Sequence, residues 1–358
     1  MSAFNPLFSQ SLGQLSNLTE ESVSDDGKNY IQPTRRNLGV VAIVLLREAI
    51  APVVFRNEEA TLTRATAGGV ERIRATPNKT KFVERGLGLQ ILRALNAGGR
   101  FAQNRTVVQG DPGDAFDLNT AVFGDSAMSG TRVLPIKAGV NYSDALSLQP
   151  ASLSEVTTMH IASNEEGTLF DPEKKENSVN LFDRSVVRPG TFFLQVLTIR
   201  GRSLPKEGFD HLMLSLGLAG SYGGQTSVSG TNLRTHIVGV YGGPFEQAIN
   251  SPYEGVKALD EAGIDLDDVN LASVQSALHQ AFSSAYPIAV PGAEAESYRA
   301  ELVKRFVDED PTLEEQYART KQAYAAYFNA YFGPKKTKAS GRKKSKAGAE
   351  DEASSEEG

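Results

Sequence analysis

The sequence predicts an α+β fold, on two observations. Apolar, β-branched runs of strand length recur between Leu38 and Tyr241, with only two helical patterns among them. After Pro252 the character changes, and every periodic segment is helical.

Residues 1–37 are polar and read as an arm that orders against a neighbour. Leu38–Leu46 (LGVVAIVLL) is almost wholly apolar, the pattern of a central strand covered on at least one face. The next stretch, FRNEEATLTRATAGGVERIRATPNKTKF, is basic and hydroxyl-rich and carries Pro77 near its end. A helix follows from Thr80, where Leu87, Ile91 and Leu95 recur at spacing four beside Leu92; Gly98-Gly99 stops it. Lys79, Lys81 and Arg85 at its start oppose the helix dipole. A solvated face explains them, and so does an anion docked at that end.

Asn104–Glu166 is loop-rich, with strand candidates at Arg132–Ala138 and Thr157–Ile161, and reads as an inserted functional element. Gly167–Asp171, Ser178–Val187 and Thr191–Gly201 read as consecutive strands, His211–Leu218 as a helix and His236–Tyr241 as a strand. Glu254–Ala262, Leu271–Tyr286, Glu294–Val307 and Thr312–Phe332 read as helices. In the last, Leu313, Tyr317, Tyr324, Phe328 and Tyr331 form an aromatic stripe that reads as core. Lys335 onward is low-complexity, a basic block followed by an acidic one. The chain therefore divides into an arm (1–37), a strand-rich part (38–250) with an insertion at about 104–166, a helical region (251–333) and a charged tail (334–358).

The 40% hydrophobic content of these 358 residues supports a real core. Zero cysteines exclude a disulfide scaffold, thiolate catalysis and cysteine zinc sites. The N-terminal MSAFNPLFSQSLGQL lacks the basic and apolar regions of a signal peptide, so a soluble, cytoplasmic protein is expected. Net charge is −6; the tail holds seven Lys/Arg and five Asp/Glu (+2), which leaves −8 for the remainder. Any nucleic acid must then be met by a local basic stripe and backbone donors.

Catalytic signatures are missing. No G-x-S-x-G elbow occurs, and Gly223-Gly224-Gln225 lacks the lysine of a P-loop. The four histidines (His160, His211, His236, His279) are scattered and read as structural, with no metal site and no cofactor expected. Asp111, Asp114 and Asp117 read as turn caps, and Asp265, Asp267 and Asp268 as caps of the helix after them. Glu58 and Glu59, between Arg56 and Arg64, keep open a metal-dependent nuclease as the alternative, although solvated loop charges explain them more simply. A self-assembling structural protein without nucleic acid is a third, weaker reading.

What remains is binding. The tract from Gly217 to Gly243 has eight glycines in 27 residues and one charged side chain, Arg234. Such a loop lets a phosphate backbone approach exposed N–H groups, although a structural connection is the more common use. Arg56, Asn57, Arg64, Lys79, Lys81, Arg85, Lys137 and Arg234 flank strand candidates, accompanied by Thr80, Asn141, Ser143, Gln225, Thr226 and Ser227. That mixture suits a sugar–phosphate backbone bound without regard to sequence. The aromatic signature of an RNA-recognition sheet is missing, so bases stacked on the sheet face are not expected.

Three segments carry a resemblance: FGDSAMSGTRVLPIKAGVNYSDALSL, EEGTLFDPEKKENSVNLFDRSVVRPGTFFLQVL and GLAGSYGGQTSVSGTNLRTHIVGVYGGPFE. The chain resembles, over roughly Leu38 to Tyr253, the backbone subunits of type I-D CRISPR Cascade, in the Cas-seven family of the RAMP superfamily. The resemblance implies a modified ferredoxin-like or RRM-like palm with an inserted thumb hairpin, and a C-terminal helical region. It implies copies stacked head to tail along a guide RNA (crRNA), presenting its bases to target DNA beside large, small and guide-end-capping subunits, with no catalysis of its own. Carried over, Asn78, Lys79, Thr80, Lys81 and Arg85 match a helix N-terminus approaching guide phosphates. Asn141, Tyr142 and Ser143, within Val140–Leu148, fall in the implied thumb, with Met159 and His160 on its return strand. Gln225, Thr226, Ser227, Arg234 and His236 match the glycine-rich loop facing the guide. The missing cysteines depart from relatives with a cysteine zinc site, and the charged tail matches nothing in the family.

Overall fold

The computed structural model describes residues 3–18, 22–23, 30–31, 38–55, 62–99, 116–129, 132–161, 170–171, 175–177, 181–200, 204–224 and 230–331. Its frame is β1 (Val40–Ala49), the hairpin β2 (Arg64–Ala67) and β3 (Val70–Ala75), and helix α2 (Asn78–Ala94), preceded by α1 (Phe4–Ser11). Helix α3 (Leu118–Phe123) and the hairpin β4 (Asp125–Ser129) and β5 (Arg132–Ile136) lead to β6 (Val140–Tyr142), β7 (Ala145–Pro150) and the short α4 (Ala151–Ser154). Then come β8 (Glu155–Ile161), β9 (Leu181–Val187), β10 (Phe192–Arg200), α5 (Lys206–Leu218) and β11 (Leu233–Gly243). Helices α6 (Pro252–Glu261) and α7 (Leu271–Ala285), strand β12 (Ile288–Pro291), α8 (Gly292–Val307) and α9 (Pro311–Tyr331) complete it.

One eight-stranded sheet runs β12-β11-β1-β10-β7-β3-β2, with β6 also on β10, and every pairing in it is antiparallel. Taken in chain order, β1–α2–β6/β7–β10–α5–β11 is a β-α-β-β-α-β unit whose strands lie in the order fourth, first, third, second. The expected ferredoxin-like palm is present. The register of β1 with β10 runs from Val40↔Arg200 to Glu48↔Phe192, so the whole apolar run of β1 is central.

Alternation along β1 sets the two faces. Val41, Ile43 and Leu45 share a core with Ile91 and Leu92 of α2 and Phe209, Leu212 and Met213 of α5. Val40, Ala42, Val44 and Leu46 share the other core with Val256 and Leu259 of α6 and Leu278 and Phe282 of α7. Among the described residues, both faces of the central strands are covered.

Helices α8 and α9 thicken the α2/α5 layer. Leu313, Tyr317, Tyr324 and Phe328 are buried there, as the stripe predicts. The N-terminal segment differs from expectation: Phe4 and Leu7 of α1 are buried, and Phe4 packs on Phe209 and Tyr298. An arm that orders against a neighbour is the wrong description of that part, because two large apolar side chains at spacing three find a home in the chain's own core.

Two further expectations change. Val140–Leu148 is not thumb: Asn141 and Tyr142 pair with Thr198 and Leu197, and Leu146 pairs with Leu194, inside the palm sheet. The apolar content of this segment explains it, since Val140, Leu146 and Leu148 are fully buried. Like β4–β5, the β8–β9 hairpin forms a two-stranded sheet apart from the palm, with Met159 opposite Asp183 and His160 opposite Phe182. It is rooted by paired backbone bonds between Val53 and Val187 (3.2 and 2.8 Å). The cap of α7 is Asn270, which accepts from the Ser273 amide at 3.0 Å, whereas Asp265 accepts from the amides of Asp267 and Asp268 in the preceding turn. Asp117 does cap α3, accepting from Thr120 (2.9 Å) and Gly99 (2.8 Å); Asp111 and Asp114 lie outside the described residues.

Where α2 crosses α3 and α5, a Cβ on Gly88 would sit 2.1 Å from the Asn119 carbonyl oxygen and 2.8 Å from His211 Nε2, so only glycine fits. His211 is fully buried there, with Asn119 Oδ1 and the Tyr317 hydroxyl each 3.1 Å from a ring nitrogen. Burial pushes its imidazole down to about 3 from 6.5. The folded state requires the neutral ring, so this stabilisation is complete above about pH 6.5 and is lost as pH falls toward 3, at ~1.4 kcal/mol per pH unit. Urea unfolding midpoints should fall accordingly between about pH 6.5 and 4.5, and the slope should flatten in His211→Gln. An equal slope in both proteins would contradict the assignment.

Candidate nucleic-acid interface

The rigid base of the site is a buried polar cluster between the sheet and α2. Arg47, at the end of the apolar run of β1, has 0% of its surface exposed. Its Nη1 lies 2.8 Å from Glu84 Oε1 on α2, itself buried. The same guanidinium donates to Gln195 on β10 (2.7 Å), to the Tyr222 hydroxyl (3.2 Å) and to Thr235 on β11 (3.2 Å). Glu84 also accepts from Tyr222 (2.9 Å) and from Tyr142 (2.5 Å). Gln195 exchanges bonds with Thr80 and donates to the Ser143 carbonyl at 2.9 Å.

Burial is the largest single influence and would depress the Arg47 pKa, but the charge and hydrogen bond of Glu84 together with Tyr222 and Tyr142 outweigh it, and the net shift is upward. Burial, then the Glu84 charge, pushes both tyrosine hydroxyls up, so each stays a protonated donor. Taking two charges out of water costs several kcal/mol per ion, which the ion pair and the hydrogen bonds of Nε and Nη1 offset, while Arg47 Nη2 is buried without a hydrogen-bond partner among the described residues.

The cluster fixes the inward face of α2 as Thr80, Glu84, Gly88, Ile91 and Leu92. The expected face of Leu87, Ile91 and Leu95 is rotated: Leu87 and Leu95 are half-buried. With Thr80 and Glu84 turned in, Asn78 and Phe82 turn toward solvent, and Lys79, Lys81 and Arg85 are half-buried, the Lys81 ammonium 5.8 Å from the Tyr142 ring centroid. Burial, then the neighbouring Arg85, holds the Lys81 pKa below its usual value.

The solvent side of α2 walls a cleft of about 800 Å³, lined by Val54, Thr76, Asn78, Lys79, Lys81, Phe82, Val83, Arg85, Phe123, Gly223 and Gly224. Among the described residues three cations line it and no carboxylate does, in a chain of net charge −6. The glycine tract forms its other wall. The Gly224 amide donates to Val54 at 2.9 Å, and a Cβ on Gly223 (φ +79°) would sit 2.5 Å from the Val54 carbonyl oxygen. Tyr222 plugs the root of this tract into the Arg47 cluster, and Asn232 brackets it with two bonds of 2.8 Å.

The structure sorts the sequence-based contact residues into four groups. Asn78, Lys79, Lys81 and Arg85 meet in the cleft. Thr80, Tyr142 and Ser143 are structural instead: Thr80 and Tyr142 belong to the buried cluster, and Ser143 Oγ accepts from the Val196 amide at 2.9 Å. Arg64 is exposed but held by Glu71 (2.8 Å) and Glu155 (2.7 Å), which fastens β2 to the base of the β8–β9 hairpin rather than offering a free cation. Arg234 and His236 share Glu48 Oε2 at 3.4 and 2.9 Å. By strand alternation these three lie on the face opposite Arg47, away from the α2 cleft.

Lys137 and Asn141 are exposed on and before β6. Met159 and His160 have their backbone on β8, but their side chains lie outside the described residues, as do Arg56, Asn57, Gln225, Thr226, Ser227, Glu58 and Glu59. The sequence reading missed Arg47, Glu84, Gln195 and Tyr222. An arginine closing a nine-residue apolar strand run, and a glutamate four residues after Thr80, were the available signals.

Among the described residues, no group of three or more His, Cys, Asp or Glu could hold a metal ion, and no helix is long and apolar enough to cross a membrane. The family model described as Csc2 Crispr matches residues 29–309, well over half of the chain, and the protein belongs to that family. The crystal structure of Thermofilum pendens Csc2 is similar, with a TM-score of 0.55 and 17% identity over 88% of this chain and 95% of that one. A chain of a CRISPR RNA-guided surveillance complex has a TM-score of 0.49 and 13% identity over 75% of this chain and 99% of that one. At such identities the Thermofilum likeness speaks for the fold alone. No curated protein sequence matches this chain.

The cluster generates a stability test. Glu84→Leu leaves the Arg47 charge buried and unpaired and should cost ~3–5 kcal/mol in urea unfolding, while Arg47→Met with Glu84→Leu should recover a large part of that loss. A double variant as unstable as the single one would show that the pair is not the coupled unit described here.

Proposed function

We propose that the protein is a non-catalytic subunit that grips the sugar–phosphate backbone of a guide RNA in the α2 cleft. Repeated copies line one guide in a type I-D CRISPR surveillance complex, as a RAMP-type backbone. Its bases stay available for target DNA, and large, small and end-capping subunits complete the assembly in the cytoplasm. The observation that carries it is the cleft lining, with Lys79, Lys81 and Arg85 facing the backbone of Gly223 and Gly224 and no carboxylate among the described lining residues. Such a surface attracts polyanions through local charge while the chain as a whole is acidic. Membership of a CRISPR family supports the choice of an RNA-guided system over other polyanion binders. The covered sheet faces support backbone binding over base readout, since sequence can be read by pairing within the guide itself.

Fluorescence anisotropy with single-stranded RNAs of unrelated sequence checks this. Lys79→Glu with Lys81→Glu should weaken all of them alike and lower the slope of log affinity against log salt by about 0.7 per lost phosphate contact. Arg64→Ala, at a cation already held by two carboxylates, should leave the slope unchanged. Unaltered binding in the double lysine variant would overturn the proposal.

A further inference from the structure

We infer that Tyr142 is a positioning residue of the α2 cleft: its ring holds the Lys81 ammonium at the cleft wall without neutralising it, so that the charge is in place for a phosphate. This rests on the RNA-binding reading above and adds to it a residue that acts on RNA only through Lys81. The Lys81 ammonium lies 5.8 Å from the Tyr142 ring centroid, within the range of a cation–π contact. Lys81 lines the cleft, and Tyr142 stands behind it on β6.

The ring is itself fixed. Its backbone pairs with Leu197 of β10, its hydroxyl donates to Glu84 at 2.5 Å, and the Phe123 ring lies 6.4 Å away between centroids. Such a clamp differs from the one on Arg64, which Glu71 and Glu155 hold by cancelling its charge. A neutral ring attracts the ammonium through its quadrupole and leaves to a ligand the N–H donors that a carboxylate would occupy. The Tyr142 hydroxyl stays protonated, because burial and then Glu84 push its pKa up, so the ring carries no charge. Glu84 in turn is met by Arg47 at 2.8 Å, which leaves the pair beneath the ring neutral.

A lysine stem is flexible, and its freedom is lost when the ammonium grips a phosphate. Holding the stem before binding removes part of that cost. Burial, then Arg85, also disfavours the charged form of Lys81 in the free protein, and an arriving phosphate relieves this.

The test is a double-variant cycle on affinity for a short single-stranded RNA, with Tyr142→Leu made in the wild type and in Lys81→Ala. Removing the ring should weaken binding about fivefold in the wild type and cause no further loss in Lys81→Ala. Tyr142→Phe, which keeps the ring and loses the hydroxyl, should recover most of the affinity. The contact can also be read with Tyr142 intact and no RNA present, by NMR of the protein after isotopic methylation of its lysines. The Lys81 resonance, identified by its loss in Lys81→Arg, should be moved upfield of a fully exposed lysine by the ring current. An unshifted Lys81 resonance would overturn the inference and leave the RNA-binding reading intact. An equal loss of affinity from Tyr142→Leu in both backgrounds would do the same, assigning Tyr142 to the shape of the palm. Failure of the wild type to bind RNA would overturn both readings.

Discussion

The buried pair of Arg47 and Glu84 is the constraint on which the site depends. It joins the central strand to the one helix whose outer face walls the cleft. Because Arg47 also holds Gln195, Tyr222 and Thr235, one guanidinium fixes β10, the glycine tract and β11 relative to α2. An apolar contact would resist separation of these elements but would not fix their rotation. The hydrogen-bond geometry of a charged network does, and it sets which residues of α2 face outward.

The chain uses its sheet differently from an open RNA-recognition sheet. Helices α6 and α7 occupy the face that would otherwise be free, burying Val256, Leu259, Leu278 and Phe282 against it. The proposed binding surface therefore lies at the rim, where α2, Val54 and Gly223-Gly224 meet. The acidic net charge fits this arrangement, since cations are needed only along one track. Elsewhere cations are tied up, as Glu48 does for Arg234 and Glu155 for Arg64.

Much of the frame was legible because burial on a sheet or helix imposes a period on the sequence. The β1 run, the β10 run and the four C-terminal helices follow directly from that rule. Rotation of α2 was not legible, because the period search counts apolar residues and here Thr80 and Glu84 take inward positions. Val140–Leu148 was misassigned because the short β6 and β7 interrupt the alternation that marks a palm strand. Lys79, Lys81 and Arg85 stand out in the sequence because their charges oppose the helix dipole, and the structure brings the three together in one cleft. Arg64 is held by Glu71 and Glu155, and Arg234 and His236 by Glu48, partners that the fold brings close, so composition alone overstated those cations.

The measurement that tests the central claim most directly is photocrosslinking of a short RNA to the intact protein, followed by identification of the modified peptides. The account requires crosslinks on the α2 segment Asn78–Arg85 and on the peptide containing Gly223-Gly224. Crosslinks concentrated on α6, α7 or α8, with α2 unmodified, would contradict it.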